Sequence, residues 1–389
     1  MTVSIWQRQE IGCADVECDV CVLGAGITGA SVAYWLRRYR PSWKIVVAEK
    51  HGGGAGASGR NAGMVLAGLA DHYDKMVEDF GREVARSAWA ATLEHQKLLN
   101  EFLSTSSANV HLERTGSWRT GFTADEGAHL AHSFELMRED GFDAEFVERD
   151  PLNRGFHGAL GIRNDFGVHP MLLVRALLDR SAIDVYEDCE AYAVERKQKA
   201  IVVHTKRAKI RAAHVVVALN AYAPMLDEAF KRLVEPHRGQ ILVTAPLKVR
   251  VLDRLVYTHH GYIYFRQLKD GRMLLGGWRH EYAKTEAGYD EGVTPDVQNA
   301  LETFLRERFP EVSSTPIEAR WSGTMGFSPD GLPLVGTVDG DQRVIYALGF
   351  TGHGFGLALE VARRAVRLLL EGEDAGIFAA ERLLQTATN

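Results

Sequence analysis

The distribution of apolar and polar positions is clearest near the start of the chain. Asp19–Leu23 is a short apolar run typical of a buried parallel strand, and Lys44–Ala48 is a second run of the same kind. Between them, the apolar positions of Ala30–Arg40 have helical spacing, and Pro41 ends the predicted helix. A strand, a glycine-rich turn, a helix and a strand within about 30 residues predict one βαβ unit.

The rest of the chain mixes helical and strand-like patterns. Between residues 236 and 280, short strand-like runs alternate with turns, which indicates antiparallel pairing. Helical periodicity marks 71–103, Asp165–Arg180 and Leu357–Leu370, whereas Ile201–Thr205 and His214–Leu219 are typical of strands. This order predicts an α/β fold in which a nucleotide-binding domain is interrupted twice by a second domain with an antiparallel sheet.

Composition and charge narrow the class of protein. The 389 residues are 46% hydrophobic and 25% charged, with 45 Lys and Arg against 51 Asp and Glu, a formal charge of −6. These are globular proportions without the basic field of nucleic-acid-binding proteins. No stretch approaches the roughly 18 apolar residues of a membrane span, and Met1–Glu10 does not resemble a secretory signal. Four cysteines are too few for a disulfide framework, so we expect a cytoplasmic protein; they are Cys13, Cys18, Cys21 and Cys189.

Gly24, Gly26 and Gly29 follow the first strand in the pattern G-x-G-x-x-G. By composition alone about 0.4 such matches are expected, and a second match begins at Gly54 without a preceding strand. Context decides between them, because the first match joins a strand to a helix and Glu49 ends the next strand. In such turns the glycines let the helix N-terminus approach a pyrophosphate, and the acidic residue binds ribose hydroxyls. The pattern therefore predicts a dinucleotide with an unphosphorylated ribose, FAD or NAD.

Two further glycine-rich segments are candidate binding loops. Gly56–Gly63 follows the second strand and contains Ser58, Arg60 and Asn61. A flexible linker is the alternative, but backbone N–H groups of such a loop can hold an anion, with charge added by Arg60, so we favour contact with a pyrophosphate and the flavin edge. Gly349–Gly356 precedes the last long helix, whose N-terminus either stabilises negative charge on a reduced flavin or simply begins a helix.

Other chemistry-bearing residues give weaker indications. Cys18 and Cys21 lie on opposite faces of the first strand, and the histidines lack metal-ligand spacing, so we predict no metal. His353 is the histidine whose loop suggests a function. The aromatic side chains that form either core or the wall of a pocket for a cationic amine are Tyr262, Tyr264, Trp278 and Trp321. The chain has no G-x-S-x-G elbow and no P-loop, which argues against a hydrolase or an NTPase.

Taken together, these motifs resemble the D-amino-acid-oxidase-like superfamily of FAD-dependent oxidoreductases, and within it the branch of γ-glutamylputrescine oxidoreductase and glycine/sarcosine oxidase. The resemblance extends over nearly the whole chain. The segments that carry it are Gly24–Gly29 with Glu49, Gly56–Gly63, Val168–Pro170, Ala218–Tyr222, Arg320–Gly323, Asp330–Pro333 and Gly349–Gly354. They are specific for the superfamily and much less specific for the substrate.

The resemblance implies a Rossmann-like FAD-binding domain of the glutathione-reductase type and a second α+β domain whose antiparallel sheet covers the isoalloxazine ring. The FAD-binding domain would comprise residues 1–75, 150–225 and 325–389, and the substrate domain 76–149 and 226–324. The implied reaction oxidises a C–N bond of a small primary or secondary amine by hydride transfer to flavin N5, and the imine is then hydrolysed. A dedicated general base is not required.

Three positions depart from the family pattern. Met325 stands where amino-acid oxidases have an arginine that binds the substrate carboxylate, and Gly356 stands where the sarcosine branch has a lysine for the same purpose. Leu274 stands where that branch has an oxygen-activating lysine. We therefore expect an amine without a carboxylate beside the reacting carbon, or one whose distant carboxylate is held by Arg266 or Arg279. The electron acceptor is oxygen or another compound.

The resemblance also implies a set of site residues. Covalent flavin attachment elsewhere uses the positions of Met325 and Asn61, so we expect non-covalent FAD. The residues expected to face the substrate or the reacting ring are Tyr262, Tyr264, Arg266, Trp321, Met325 and His353. Those expected to bind FAD are Gly24, Ala25, Gly26, Ile27, Thr28, Gly29, Glu49, Lys50, Gly56, Ala57, Ser58, Gly59, Arg60, Asn61, Ala62, Gly63, Met64, Val194, Ala218, Asn220, Ala221, Gly323, Gly349, Phe350, Thr351, Gly352, His353, Gly354 and Phe355.

Three alternatives remain open at this point. The chain is compatible with an amino-acid oxidase or dehydrogenase of the D-amino acid, glycine or sarcosine type, in which the carboxylate site is displaced. It is also compatible with a flavin-binding subunit that has little activity of its own. A plain NAD dehydrogenase would not need the second and third glycine-rich segments. We expect no nucleic-acid partner and no integral membrane segment, and a homo-oligomer is compatible with the sequence.

Overall fold

The structure is a computed structural model that describes residues 14–384. The interpretations of Met1–Glu10 and Cys13, and the outer ends of the predicted FAD-binding domain, lie outside the described residues. The helices are α1 (Ile27–Tyr39), α2 (Ala57–Arg60), α3 (Tyr73–Phe80), α4 (Arg82–Thr105), α5 (Ala124–Glu139), α6 (Pro170–Ser181), α7 (Ala223–Leu226), α8 (Ala283–Glu286), α9 (Pro295–Arg308), α10 (Gly354–Glu371) and α11 (Glu381–Leu384). The strands are β1 (Ala14–Leu23), β2 (Ile45–Ala48), β3 (Met64–Val65), β4 (Ser117–Thr120), β5 (Glu145–Val147), β6 (Ala159–Ile162), β7 (Phe166–Gly167), β8 (Asp184–Tyr186), β9 (Ala191–Arg196), β10 (Ile201–Thr205), β11 (Ala208–Val217), β12 (Glu235–Thr244), β13 (Leu255–Thr258), β14 (Ile263–Gln267), β15 (Met273–Gly277), β16 (Ile317–Phe327), β17 (Leu334–Val338) and β18 (Asp341–Leu348). Across residues 14–384, no helix combines the length and the apolar character needed to cross a membrane.

The first sheet contains the βαβ unit that the N-terminal pattern predicts. Its strand order is β17-β18-β11-β1-β2-β8, and β1 is parallel to both β2 and β11. The strand β1 is fully buried from Val20 to Leu23, because helices α1, α6 and α10 cover one face of the sheet and the antiparallel strands β9 and β10 help to cover the other. The predicted α/β fold is confirmed.

The second sheet has the order β16-β12-β15-β14-β13-β4-β6-β5 and is antiparallel except where β4 pairs with β13. One face packs against α9 through an apolar cluster that includes Leu242, Phe265 and Leu301. The other face, which carries Ile241 and Leu274, faces the glycine-rich loop of the first domain. The sheet thus presents one wall toward the nucleotide-binding domain.

Three predicted segments need correction. The strand β6 pairs with β4 and β5 in the second sheet, although the sequence assigns residues 150–225 to the first domain. The helix α4, assigned to the second domain, packs against α10 of the first. The single helix predicted over 71–103 is two helices, because Gly81 between them has a φ of +80°. Local patterns do not encode such long-range pairing.

The contact between α4 and α10 includes a buried histidine. His95 is 2% exposed, its Nε2–H donates to the Phe355 carbonyl at 2.9 Å, and its Nδ1 accepts the Leu359 N–H at 3.1 Å. Because a carbonyl only accepts and an N–H only donates, the ring must be neutral. Burial accordingly lowers the pKa of His95 to about 4.

We expect acid to weaken this contact. Between pH 6.5 and about 4 the unfolded chain binds a proton at His95 that the folded chain does not. The free energy of unfolding therefore falls as the pH falls, and His95 accounts for a loss of about 2 kcal/mol between pH 7 and pH 5. Urea unfolding of the wild type and of His95→Gln at both pH values measures this loss. The variant should lose about 2 kcal/mol less on acidification, and equal losses would contradict a neutral buried His95.

Candidate active site

A cavity of about 680 Å³ lies between the first domain and the second sheet. Its lining comes from the N-terminus of α1, the segment that includes α2 and β3, the loop before α10, and residues of β13, β14 and β16. Ligand and cofactor pockets commonly have volumes of this order.

The turn between β1 and α1 forms one end of the cavity. Gly24 has a φ of +98°, and α1 begins after Gly26, which has no side chain to cap the helix. The Ile27 N–H donates to the Ser58 hydroxyl at 2.9 Å. Because Gly26, Ile27 and Thr28 all line the cavity, the N–H groups of this first turn are placed to bind an anion.

Glu49 lies beside this turn, at the end of β2. Its Oε2 accepts the Ala25 N–H at 2.8 Å, and its Oε1 accepts the His51 N–H at 3.0 Å. These bonds orient the carboxylate toward the turn, where the fingerprint places a ribose. The neighbouring Lys50 instead pairs with Glu190 at 3.1 Å and lies outside the cavity lining, so its predicted contact with the cofactor is not supported.

The loop Gly56–Gly63 is ordered by its own hydrogen bonds rather than being a flexible linker. Residues Ala57–Arg60 form the short helix α2. The Asn61 amide donates to the carbonyls of Ala57 and Ser58 at 3.1 and 2.8 Å, and its oxygen accepts the Gly63 N–H at 2.7 Å. Asn61 thus holds Ser58 in its position beside α1.

Arg60 and Trp321 attach this loop to β16. Arg60 donates to the carbonyls of Ala55 and Ser322 at 2.9 and 3.3 Å, and Trp321 Nε1 donates to the Arg60 carbonyl at 2.7 Å. Neither side chain lines the cavity. The anion-binding role predicted for Arg60 and the substrate contact predicted for Trp321 are therefore corrected: both side chains connect the loop to the second sheet.

The loop before α10 forms the opposite end of the cavity. Thr351 has a φ of +48°, and His353 Nδ1 is 3.0 Å from the Thr351 carbonyl, so Nδ1 carries the proton. Nε2 then accepts the Tyr257 hydroxyl at 2.8 Å. Burial lowers the pKa of His353 to about 4, so the ring is neutral at pH 7. The side chain of His353 does not cap α10, whose first N–H groups remain available.

The second sheet supplies an aromatic wall. Tyr264 comes from β14 and Tyr262 immediately precedes it, Met325 and Phe327 come from β16, and Arg279 follows β15. Burial raises the pKa of Tyr264 to about 12, so its phenol stays protonated. The structure thus brings together at the cavity four of the six residues predicted to face the substrate or ring, His353, Tyr262, Tyr264 and Met325.

Arg266 is not part of this wall. It is 2% exposed, and its Nη1 donates to the carbonyls of Ala62, Gly63 and Val168 at 3.1, 2.9 and 3.2 Å. Its Nη2 pairs with Glu113. Because both Nη atoms bond to the protein, Nε is buried, and Arg266 lies outside the cavity lining, the hypothesis that Arg266 holds a substrate carboxylate is corrected.

The predicted cofactor residues fall into two groups. Those that line the cavity are Gly26, Ile27, Thr28, Ala57, Ser58, Asn61, Ala62, Met64, Ala218, Asn220, Phe350, Thr351, Gly352, His353, Gly354 and Phe355. Those beside these segments but outside the lining are Gly24, Ala25, Gly29, Glu49, Gly56, Gly59, Gly63, Ala221, Gly323 and Gly349. Val194 lies on β9, packed against the core of the first domain and outside the lining, so its contact with FAD stays a prediction.

Sequence reasoning missed Tyr257, which lies on β13 directly opposite Tyr264. Alternation along β13 predicts that Tyr257 and Leu255 share a face. It does not predict that this face meets His353, which only the assembled structure shows. The cavity also includes His260, Asp71 and Asp79, which no motif marked.

His260 belongs to a polar cluster at the turn after β13. The side-chain atoms of His72, Glu126 and His260 that could ligate a metal ion lie within 4.8 Å of one another. Glu126 already accepts three bonds, from His72 Nε2 at 3.0 Å and from the N–H groups of His260 and Phe122 at 2.6 Å each. We interpret the cluster as a hydrogen-bond network that attaches this turn to α3 and α5, and the absence of a bound metal stays a prediction.

The family model described as FAD dependent oxidoreductase (DAO) matches residues 19–368. The chain belongs to this family. The FAD-dependent oxidoreductase is 25% identical to γ-glutamylputrescine oxidoreductase of Escherichia coli (strain K12) over 375 residues, 92% of this chain and 84% of that one. It is 25% identical to glycine oxidase of Bacillus subtilis (strain 168) over 354 residues, 87% and 89% of the two chains. The crystal structure of glycine oxidase from Geobacillus kaustophilus has a similar fold, with a TM-score of 0.80 and 22% identity over 94% of this chain and 98% of that one.

FAD is the cofactor of this oxidoreductase, and the cavity fits it. The N-termini of α1 and α10 face the same cavity. Neither helix has a side-chain hydrogen bond from its N-cap residue, Gly26 in α1 and His353 in α10. A Cβ on Gly26 would lie 2.9 Å from Ser58 Oγ, so a side chain at this position would displace the hydroxyl that accepts the Ile27 N–H. The first turn of α1 would hold the phosphates, Glu49 the ribose, and the residues before α10 the pyrimidine edge of the ring.

Proposed function

We propose that this oxidoreductase oxidises the C–N bond of a small primary or secondary amine. When bound, FAD supplies the two-electron acceptor for the hydride equivalent that leaves the carbon beside the nitrogen. The nitrogen gives up its proton to solvent, and water hydrolyses the imine to a carbonyl compound and ammonia or an amine. One observation carries the proposal: a single cavity joins the N-terminus of α10 to the aromatic wall of Tyr262, Tyr264 and Phe327. The names of the two relatives, one for an acylated diamine and one for glycine, agree with it.

Among the groups that line the cavity, neither His353 nor the three carboxylates of Asp71, Asp79 and Asp330 is placed as a general base. The Nε2 lone pair of His353 is occupied by Tyr257. Asp71 and Asp79 are exposed, and Asp330 is paired with Arg382 at 2.7 Å. The protein therefore contributes by holding the reacting carbon in position and by excluding water.

Two positions support an amine without a carboxylate next to the reacting carbon. Met325 lines the cavity with a thioether instead of a cation. A Cβ on Gly356 would lie 2.5 Å from the Leu66 carbonyl oxygen, so this position cannot carry a lysine without a backbone shift. A carboxylate clamp of the kind found in amino-acid oxidases is thus missing at both family positions.

The environment of Leu274 bears on the electron acceptor. Leu274 is 6% exposed and packs with Ala62, Ile241 and Val243, so an apolar side chain replaces the oxygen-activating cation of the sarcosine branch. We propose that reoxidation by oxygen is slow and that another acceptor serves this enzyme. We further propose that FAD is held non-covalently and that the enzyme acts in the cytoplasm.

The test is anaerobic mixing of the purified holoenzyme with a panel of primary and secondary amines and amino acids, with flavin absorbance recorded. We expect amines to bleach the flavin, and oxygen admitted afterwards to restore the colour slowly. Rapid bleaching by D-amino acids, glycine or sarcosine but not by other amines would favour an amino-acid oxidase instead. A yellow protein that no compound bleaches would contradict catalysis and favour a flavin-binding subunit.

A further inference from the structure

Arg279 is a cation in the cavity wall without an anionic partner. Its guanidinium carbon lies 5.0 Å from the ring centre of Tyr262 and 4.3 Å from that of Phe327. Within residues 14–384 it forms no ion pair and no hydrogen bond, whereas the buried Arg238 and Arg266 pair with Glu286 and Glu113. Two aromatic faces therefore hold the guanidinium in place and leave its five N–H donors unoccupied.

Two phenols extend this group of free donors. Tyr264 lies on β14, Tyr262 immediately precedes that strand, and both line the cavity with Arg279. In the part of the chain that the structure describes, neither hydroxyl has a hydrogen-bond partner, whereas the hydroxyl of Tyr257 is committed to His353. The charge of Arg279 also acts on Tyr264 and His353, and Arg279 lines the same cavity as the N-terminus of α10.

This set of groups has the chemistry of an anion site. A guanidinium and two hydroxyls supply donors in a partly buried site, and a planar guanidinium binds a carboxylate through two parallel hydrogen bonds. The guanidinium lies over Phe327, two residues along β16 from Met325. The cation that the family position lacks is therefore supplied from the turn that follows β15.

We propose that Arg279, with Tyr262 and Tyr264, binds the carboxylate of the substrate. The substrate is then an amine that carries a carboxylate, which rests on the proposed function and narrows its substrate class. Alkylamines without a carboxylate are poor substrates, and the best substrate is the one whose chain length spans the interval between Arg279 and the reacting position.

The experiment compares two matched series with the holoenzyme. One series is glycine, β-alanine, 4-aminobutyrate and 5-aminovalerate, and the other is the alkylamines from methylamine to butylamine. Binding is measured separately from turnover, by calorimetry and by perturbation of the flavin spectrum with the non-reactive carboxylates acetate, propionate, butyrate and valerate. The variants are Arg279→Met, Arg279→Lys and Tyr264→Phe, and the control is Arg254→Met, which removes an arginine stacked on Trp118 outside the cavity.

We expect Arg279→Met to weaken binding of the best carboxylate by about 100-fold. Arg279→Lys should recover part of the affinity, Tyr264→Phe should weaken it less, and Arg254→Met should leave it unchanged. The KM of the best amino acid should rise in parallel, so the preference for an amino acid over the alkylamine of equal chain length, measured as the ratio of their kcat/KM values, should fall. Equal carboxylate affinity in the wild type and Arg279→Met, or faster turnover of alkylamines than of every amino acid, would overturn the proposal. If neither series bleaches the flavin, amine oxidation fails, and the carboxylate titrations still decide whether Arg279 is an anion site.

Discussion

A Gly29→Ala variant is expected to lose FAD. A Cβ on Gly29 would overlap the carbonyl oxygen of Gly24 and lie 3.0 Å from its carbonyl carbon. Because the obstacle is backbone, relief requires α1 to move away from the turn that follows β1. The N–H groups of that turn are the proposed phosphate site, so they would move with the helix. We expect the dissociation constant for FAD to rise about 100-fold or more, which corresponds to about 3 kcal/mol.

The second match to the glycine fingerprint supplies the control. Gly56 has a φ of −75°, and a Cβ there would meet nothing within 4 Å, so Gly56→Ala should bind FAD like the wild type. FAD titration of the apoproteins, followed by flavin fluorescence, measures both affinities, and circular dichroism of the apoproteins reports whether each is folded. If Gly29→Ala folds and binds FAD with wild-type affinity, the assignment of the phosphates to the start of α1 is wrong.

The parts of the fold that could be predicted are local in sequence. The strands β1 and β2 and the helix α1 follow from two apolar runs and one helical period, and their order alone requires a parallel pair. The strand β16 was not predicted. It pairs with β12, which lies about 80 residues earlier, and its glycines interrupt the alternation of apolar and polar side chains that marks a strand. The placement of β6 in the second sheet depends on the same kind of long-range pairing.

The candidate site also has parts that are local in sequence and parts that depend on long-range packing. The glycine-rich loops at α1, α2 and α10 are local motifs, and the structure brings them to one cavity. The choice between Arg266 and Arg279 could not be made from the sequence. Alternation along β14 puts Arg266 on the face of Tyr262 and Tyr264, but the end of the glycine loop covers Arg266, and only the assembled structure shows this. Arg279 lies outside any strand, so no periodicity marks its direction.

Arg266→Met is the variant expected to destabilise the protein most. It would leave Glu113, which is 8% exposed, without its partner, and would remove the donor shared by the carbonyls of Ala62, Gly63 and Val168. Breaking a buried ion pair by removing one member typically costs about 3–5 kcal/mol, because the remaining charge stays buried. We expect a loss of about this size in the free energy of unfolding of the apoprotein, measured by urea titration.

Two further variants identify the cause of that loss. Arg266→Met combined with Glu113→Gln removes the uncompensated charge, so the double variant should be more stable than Arg266→Met alone. Arg272, in the turn between β14 and β15, forms an exposed pair with Glu318 of β16, so Arg272→Met should change stability little. If Arg266→Met keeps its stability but loses carboxylate binding, Arg266 holds the substrate and the structural role is wrong. If instead Arg266→Met is destabilised while Arg279→Met is not, the two arginines have different tasks: Arg266 holds the glycine loop in place, and Arg279, which pairs with no anion among residues 14–384, binds the substrate.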